Sequence, residues 1–106
     1  MSELNVVENL DTASDFELKH FPTLTVDGNV CTIEVGKQVP HPQTAEHYIS
    51  KIDLYVDGEL YKHVELSAED APFATIAVEG KSGSKVYAVE NCNLHGDWKS
   101  EELVLG

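Results

Sequence analysis

The chain has 106 residues, 42% of them apolar and 25% charged, which is enough for one small packed domain with little margin. Its net charge of −12 excludes nucleic acid and anionic membrane as partners, since both require a basic face. No apolar run approaches the ~18 residues needed to cross a bilayer, so no membrane association is expected.

Residues 1–16 read as an irregular N-terminal segment, polar and weakly patterned, with at most a short helical turn within Asp11–Lys19. The opening Met1-Ser2-Glu3-Leu4-Asn5 is acidic and polar and lacks the basic start and apolar stretch of a secretory leader, so a cytoplasmic location is expected. From residue 23 the pattern changes to short β runs. Leu24 and Val26 alternate with threonines and run into Asp27-Gly28, a hairpin signal; Val30–Val35 returns and stops at Gly36. Residues 36–46 form a loop in which Pro40 and Pro42 stiffen the backbone on both sides of His41. His47–Val56 is the longest strand candidate, with Ile52, Leu54 and Val56 on one side and Asp53 and Tyr55 on the other. Asp57-Gly58 marks a second hairpin, and Leu60–Leu66 returns, with His63 as an ordinary exposed strand residue. Phe73–Val78, Val86–Asn91 and Trp98–Leu105 complete about seven strands at roughly 8–12-residue spacing, the pattern of an all-β sandwich.

The two cysteines are Cys31 and Cys92. Cys31 shares a strand face with Ile33 and Val35 and reads as a buried structural thiol. There is no Cys-x2-Cys pair, which excludes four-cysteine zinc and rubredoxin-type iron sites. Cys92 and His95, by contrast, sit three residues apart in Cys92-Asn93-Leu94-His95-Gly96-Asp97-Trp98, so one short loop places a sulfur and a nitrogen on the same ion. His20, His41 and His47 also fall at strand ends or in loops, where a rigid sandwich presents side chains together. Each piece is weak alone, because Cys-x2-His and His-x5-His recur by chance. Together, four imidazoles and a thiolate are one ligand too many for a closed tetrahedral zinc site. A five-ligand nitrogen and sulfur set with one open position suits a redox iron, and a thiolate opposite the opening pushes electron density towards whatever binds there.

Four stretches in this order resemble the superoxide reductases, a family that includes neelaredoxin and the iron centre II domain of desulfoferrodoxin. They are Lys19-His20-Phe21-Pro22; Val35-Gly36-Lys37-Gln38-Val39-Pro40-His41-Pro42; Glu46-His47-Tyr48-Ile49; and Cys92 to Trp98. The resemblance runs from about residue 17 to 105 and is to the one-iron class, since no rubredoxin-like cysteine domain precedes it. It implies an immunoglobulin-like β-sandwich over residues 17–106, with one mononuclear iron held by His20, His41, His47 and His95 in a plane and by axial Cys92. The implied reaction is one-electron reduction of superoxide to hydrogen peroxide, with the iron re-reduced by a small donor such as rubredoxin. Assembly into a homodimer or homotetramer is also implied.

One position departs from the family pattern. Many members carry Glu-Lys-His-x-Pro, whose glutamate can occupy the sixth iron position. Leu18 stands there, with Glu17 one residue earlier, and neither is expected to ligate. Lys19 matches the family lysine and is expected to attract the anionic substrate, which matters on so acidic a chain; Lys37 reads mainly as a solvated loop residue. Backbone amides within Asn93–His95 are expected to donate to the Cys92 sulfur, and Trp98 to pack against the site. The rival from another class is a non-catalytic immunoglobulin-like module that binds a metal or recognises a redox protein.

Overall fold

The alternation that marks strands in the sequence becomes alternating burial in the folded chain. A computed structural model describes residues 4–106; residues 1–3 of the expected irregular segment lie outside the described residues. The elements are β1 (Leu4–Val6), α1 (Asp15–His20), β2 (Pro22–Asp27), β3 (Val30–Val35), β4 (Ile49–Val56), β5 (Glu59–Glu65), β6 (Phe73–Ala77), β7 (Lys85–Cys92), β8 (Gly96–Lys99) and β9 (Leu103–Val104). In β3, Cys31, Ile33 and Val35 are buried while Thr32 and Glu34 are partly exposed, and Cys31 is the buried free thiol its pattern predicts.

The strands form two sheets, one in the order β1-β8-β7-β4-β5 with β9 also paired to β7, the other β2-β3-β6. Every pairing is antiparallel except β1 with β8. This is the expected β-sandwich. Its core joins Leu24, Ile33, Val35 and Ile76 of the smaller sheet to Ile49, Ile52, Leu54, Val56, Val86 and Ala88 of the larger. Ile49 and Ile52 both face inward although they are three positions apart, which regular alternation would put on opposite faces. A register shift between Ile49 and Lys51 makes this possible, because a bulge changes which face the following residues occupy.

Three expectations about the elements need correction. Residues 1–16 are not wholly irregular: Leu4–Val6 runs as a parallel edge strand beside β8, which was not expected, whereas α1 at Asp15–His20 is the short helical turn allowed within Asp11–Lys19. The helix is set by a capping box, in which the Ser14 hydroxyl accepts from the Glu17 amide and the Glu17 carboxylate accepts from the Ser14 amide. The long strand begins at Ile49, not His47, because Thr44 holds His47 in a turn through reciprocal backbone hydrogen bonds. The single strand expected over Trp98–Leu105 is split into β8 and β9. At the break, Ser100 substitutes its hydroxyl for a ladder partner and accepts from the Ala88 amide at 2.7 Å.

Register also fixes where the functional end lies. Pro22 pairs with Val35, and Ile49 pairs with Cys92, so the start of β2, the end of β3, the start of β4 and the end of β7 all open at one end of the sandwich. Every candidate ligand is attached there.

On the outer face of the larger sheet, His63 is exposed as expected, but it is not solitary. It lies across the strand pair from Asp53, whose side chain is only 4% exposed because the Lys51 ammonium at 2.9 Å and the His63 Nδ1 at 2.5 Å cover it. The Asp53 carboxylate, with Glu65 beside it, raises the His63 pKa above its ordinary 6.5. A raised folded-state pKa means that the pair stabilises the fold fully below pH 6.5 and loses that contribution as pH climbs through the folded value. In an NMR titration the His63 midpoint is expected above 6.5, falling back in Asp53→Asn; a midpoint at or below 6.5 in the unaltered chain would contradict the pairing.

Candidate metal centre

Four segments deliver the five side chains. His20 is the last residue of α1, His41 sits in the loop between β3 and β4, His47 precedes β4, and Cys92 and His95 flank the turn from β7 to β8. Ligand atoms of His20, His47, Cys92 and His95 all lie within 4.8 Å of one another. His41 joins from the remaining side, with its Nε2 at 3.4 Å from the Cys92 sulfur. All five residues singled out in the sequence therefore come together, and His63 does not.

The imidazoles form a closed circuit. Ring centroids are 4.8 Å apart for His20–His41, 4.6 Å for His41–His47, 5.1 Å for His47–His95 and 5.0 Å for His95–His20, while the diagonal His20–His47 is 6.4 Å. Around the circuit each ring stands at 76–88° to its neighbours, so edges and not faces meet. The buried Cys92 sulfur touches the other diagonal pair, His41 and His95. His20 and His41 are buried, whereas His95 is exposed, so the circuit is closed towards the core and open towards solvent.

Backbone carbonyls choose the donor atoms. A carbonyl only accepts, so His20 Nδ1–H donates to Phe16 O and His41 Nδ1–H to Pro42 O, both at 2.6 Å. That leaves the Nε2 lone pair of each ring facing the circuit, the arrangement that second-layer carbonyls impose on metal-binding histidines. His95 approaches through Nδ1, at 3.2 Å from His20 Nε2 and 3.7 Å from the sulfur. His47 Nε2 is buried and has no hydrogen-bond partner among the described residues. Buried polar atoms are rarely left unpaired, and a metal ion would satisfy this one.

The electrostatics suit a cation. Burial lowers the pKa of His41 to about 4 and pulls His20 and His47 below the usual value; neighbouring imidazoles and, for His20 and His47, the Lys19 charge add to it. The rings are thereby held in the neutral form that binds metal. Burial pushes the Cys92 thiol up, and the amides of Leu94 and His95 pull it down, as expected of a loop folded around sulfur. Glu90 lies two residues before Cys92, fully buried, with neither carboxyl oxygen partnered. Burial, with Asp97 nearby, raises its pKa to about 9, so it places no second negative charge beside the sulfur near neutral pH. The donor set, the orphaned nitrogen and the neutral rings together fit a metal ion such as iron.

The supporting residues are partly those expected. Trp98 packs against the site, stacked on His20 at 4.9 Å, and its indole N–H donates to His95 O. Lys19 is partly buried at the rim, close enough for its charge to act on His20 and His47. Lys37 is exposed and lines a cleft beside His41. Glu17 is committed to the capping box with Ser14, and Leu18 has no donor atom, so neither is free to close the open side. Sequence reasoning misses three residues. Phe16, 47% exposed, sets its ring 4.7 Å from His20 and 4.9 Å from His95. Asn93 accepts from the Tyr48 amide and donates to Glu46 O, tying the cysteine loop to the segment that carries His47. Gln43 accepts from the Ile49 amide and donates to Asp70 O, pinning the proline-flanked loop. The last two act on backbone groups of distant segments, a pairing that carries no local sequence signal.

The sequence model of the Desulfoferrodoxin family matches residues 12–101, and the chain belongs to that family. It is 36% identical over 97 residues to the superoxide reductase of Pyrococcus abyssi, covering 78% of this chain and 84% of that protein. It is 39% identical over 90 residues to the desulfoferrodoxin of Nitratidesulfovibrio vulgaris, covering 85% of this chain and 68% of that one. Among solved structures, it resembles the superoxide reductase of Treponema pallidum with a TM-score of 0.70 at 34% identity, over 84% of this chain and 69% of the other. The one-iron superoxide reductase of Giardia intestinalis superposes with a TM-score of 0.73 at 31% identity, over 82% of this chain and 98% of the other.

Metal binding should show directly in stability. Binding to the folded state alone adds about 4 kcal/mol at a free-metal concentration ~1,000 times Kd. Calorimetry of the metal-free chain with added ferrous iron under argon is expected to show a raised Tm. The increment should shrink in His41→Ala and His47→Ala and persist in His63→Ala. Equal increments in all three variants would place the metal elsewhere.

Proposed function

We propose that this chain is a superoxide reductase, in which His20, His41, His47 and His95 hold one iron through nitrogen and Cys92 through sulfur. The observation that carries the proposal is the closed circuit of four imidazoles with a single buried thiol beneath it and solvent on the other side. The reaction takes one superoxide, one electron and two protons to one hydrogen peroxide, with no dioxygen formed. Bound iron supplies the one-electron couple and an open position for the substrate.

The chain's own residues do the rest. Cys92, on the core side, would hold the iron through sulfur and lend it electron density, and the Leu94 and His95 amides would temper that donation. Phe16 O and Pro42 O hold the His20 and His41 rings so that their Nε2 atoms face inward. Lys19 places an ammonium at the rim of a molecule whose net charge of −12 repels superoxide, and draws the anion to the open side. With Glu17 tied to Ser14, its carboxylate does not compete for that side. The same reading assigns the chemistry to a domain of residues 17–106, in a cytoplasmic homo-oligomer, dimer or tetramer, re-reduced by a small donor such as rubredoxin. No observation favours the non-catalytic module over it.

Rapid mixing or pulse radiolysis of the reduced, iron-loaded chain with superoxide tests this. One peroxide per superoxide without dioxygen is expected; dioxygen in the stoichiometry of dismutation, or no reaction, would overturn it. In Lys19→Ala the second-order rate should fall roughly 3- to 10-fold at low salt, the effect of one nearby unit charge, and the deficit should close as ionic strength approaches ~1 M. A rate indifferent to both changes would remove the steering role.

A further inference from the structure

The two most buried imidazoles of the circuit, His20 and His41, come from segments with no strand pairing between them. His20 ends α1, and His41 sits in the loop after β3. They meet at Gly36, the residue immediately after β3. The Gly36 amide donates to Phe21 O, directly following His20. A side chain at this position has no room: a Cβ would stand 2.8 Å from His41 N, 2.9 Å from Val39 O and 3.1 Å from Lys19 O. The close atoms are all backbone, so no rotamer change relieves the contact. They belong to the two segments that carry His41 and His20. The Gly36 φ of +71° lies in the left-handed region as well.

The geometry assigns to Gly36 the role of a positioning residue for the metal centre: its bare α-carbon lets the His41 loop and the His20 helix end approach closely enough to share one ion. The assignment rests on the metal-binding reading above. A methyl group here acts as a wedge between two ligand-bearing backbones. It drives His41 away from His20 while leaving the Cys92–His95 turn, on the far sheet, in place.

The chain contains its own control. Gly58 has a φ of +85°, yet a Cβ there would meet nothing within 4 Å. Gly58→Ala therefore carries the left-handed backbone cost without a wedge, and Gly36→Ala carries both. Cobalt(II) is a suitable probe, because its sulfur-to-metal band reports Cys92 and its ligand-field bands report the imidazole set. In Gly36→Ala, cobalt affinity is expected to fall roughly 10- to 100-fold, the usual cost of disturbing groups that orient a ligand. The ligand-field bands should shift and the sulfur band should remain, whereas Gly58→Ala should match the unaltered chain in both. Unaltered affinity and bands in a folded Gly36→Ala would overturn the assignment. So would equal losses in the two variants, which would trace the effect to backbone strain alone.

A second variant covers the case in which Gly36→Ala does not fold. One glycine inserted after Gln38, in the exposed stretch Lys37–Gln38, adds no side chain but frees the His41 loop from its seat on Gly36. It should weaken cobalt binding with the same band pattern, and unweakened binding would overturn the assignment. If the unaltered chain shows no sulfur-to-cobalt band, the metal-binding reading itself fails, an outcome distinct from any failure of Gly36.

Discussion

Everything in this molecule answers to one constraint: four imidazoles and a thiol must be held against one another, with two of the rings and the sulfur buried, at the end of a small sandwich. Neither group gains by this in the metal-free chain. Burial lowers the pKa values of His20, His41 and His47 and raises that of Cys92, and the buried His47 Nε2 has no hydrogen-bond partner among the described residues. Removing polar groups from water without partners costs free energy, so the scaffold must hold them against their preference. It does so with backbone. Phe16 O and Pro42 O fix two rings, the Asn93 side chain ties the cysteine loop to the His47 segment, and Gln43 anchors the loop between the prolines. A site prepared in this way loses little freedom when a metal arrives, which is the advantage of preorganisation.

The sandwich is well suited to the task because its register brings four strand ends to one edge. Antiparallel pairing sets the start of β2 beside the end of β3, and the start of β4 beside the end of β7. The core beneath them is apolar and closely packed, so the strand ends are stiff supports for loops that carry chemistry. The bulge between Ile49 and Lys51 matters for the same reason. It lets Ile49 face the core directly beneath the site, beside Cys92, while β4 keeps its own alternation farther along. The acidic surface is a separate design problem. A chain at −12 that acts on an anion needs a local exception, and partly buried Lys19 is the residue proposed for it.

Much of this was legible in the sequence, for identifiable reasons. Period-two alternation located most strands, and Asp57-Gly58 marked its hairpin because both residues adopt positive φ. The convergence of the five candidate ligands was legible because histidine and cysteine are scarce and the four short stretches that carry them are distinctive. Other features depended on tertiary partners. The start of β4 moved from His47 to Ile49 because Thr44 and Asn93 claim the intervening backbone. The strand at Leu4–Val6 exists because β8 offers an edge, and nothing local to those three residues announces it. Phe16 appeared as one apolar residue in a polar stretch, and the capping box that turns it towards His20 and His95 needs the helix to be in place. Alternation placed Asp53 on the face opposite Ile52, but not the His63 and Lys51 side chains that cover it there.

The central claim is that one iron is shared by four imidazole nitrogens and the Cys92 sulfur. Iron-edge X-ray absorption of the iron-loaded chain, compared with Cys92→Ser, tests it most directly. A first shell of one sulfur and four imidazole nitrogens per iron is expected, with the sulfur component absent from the variant. A shell of nitrogen and oxygen alone in the unaltered chain, or a sulfur component that survives in Cys92→Ser, would contradict the account.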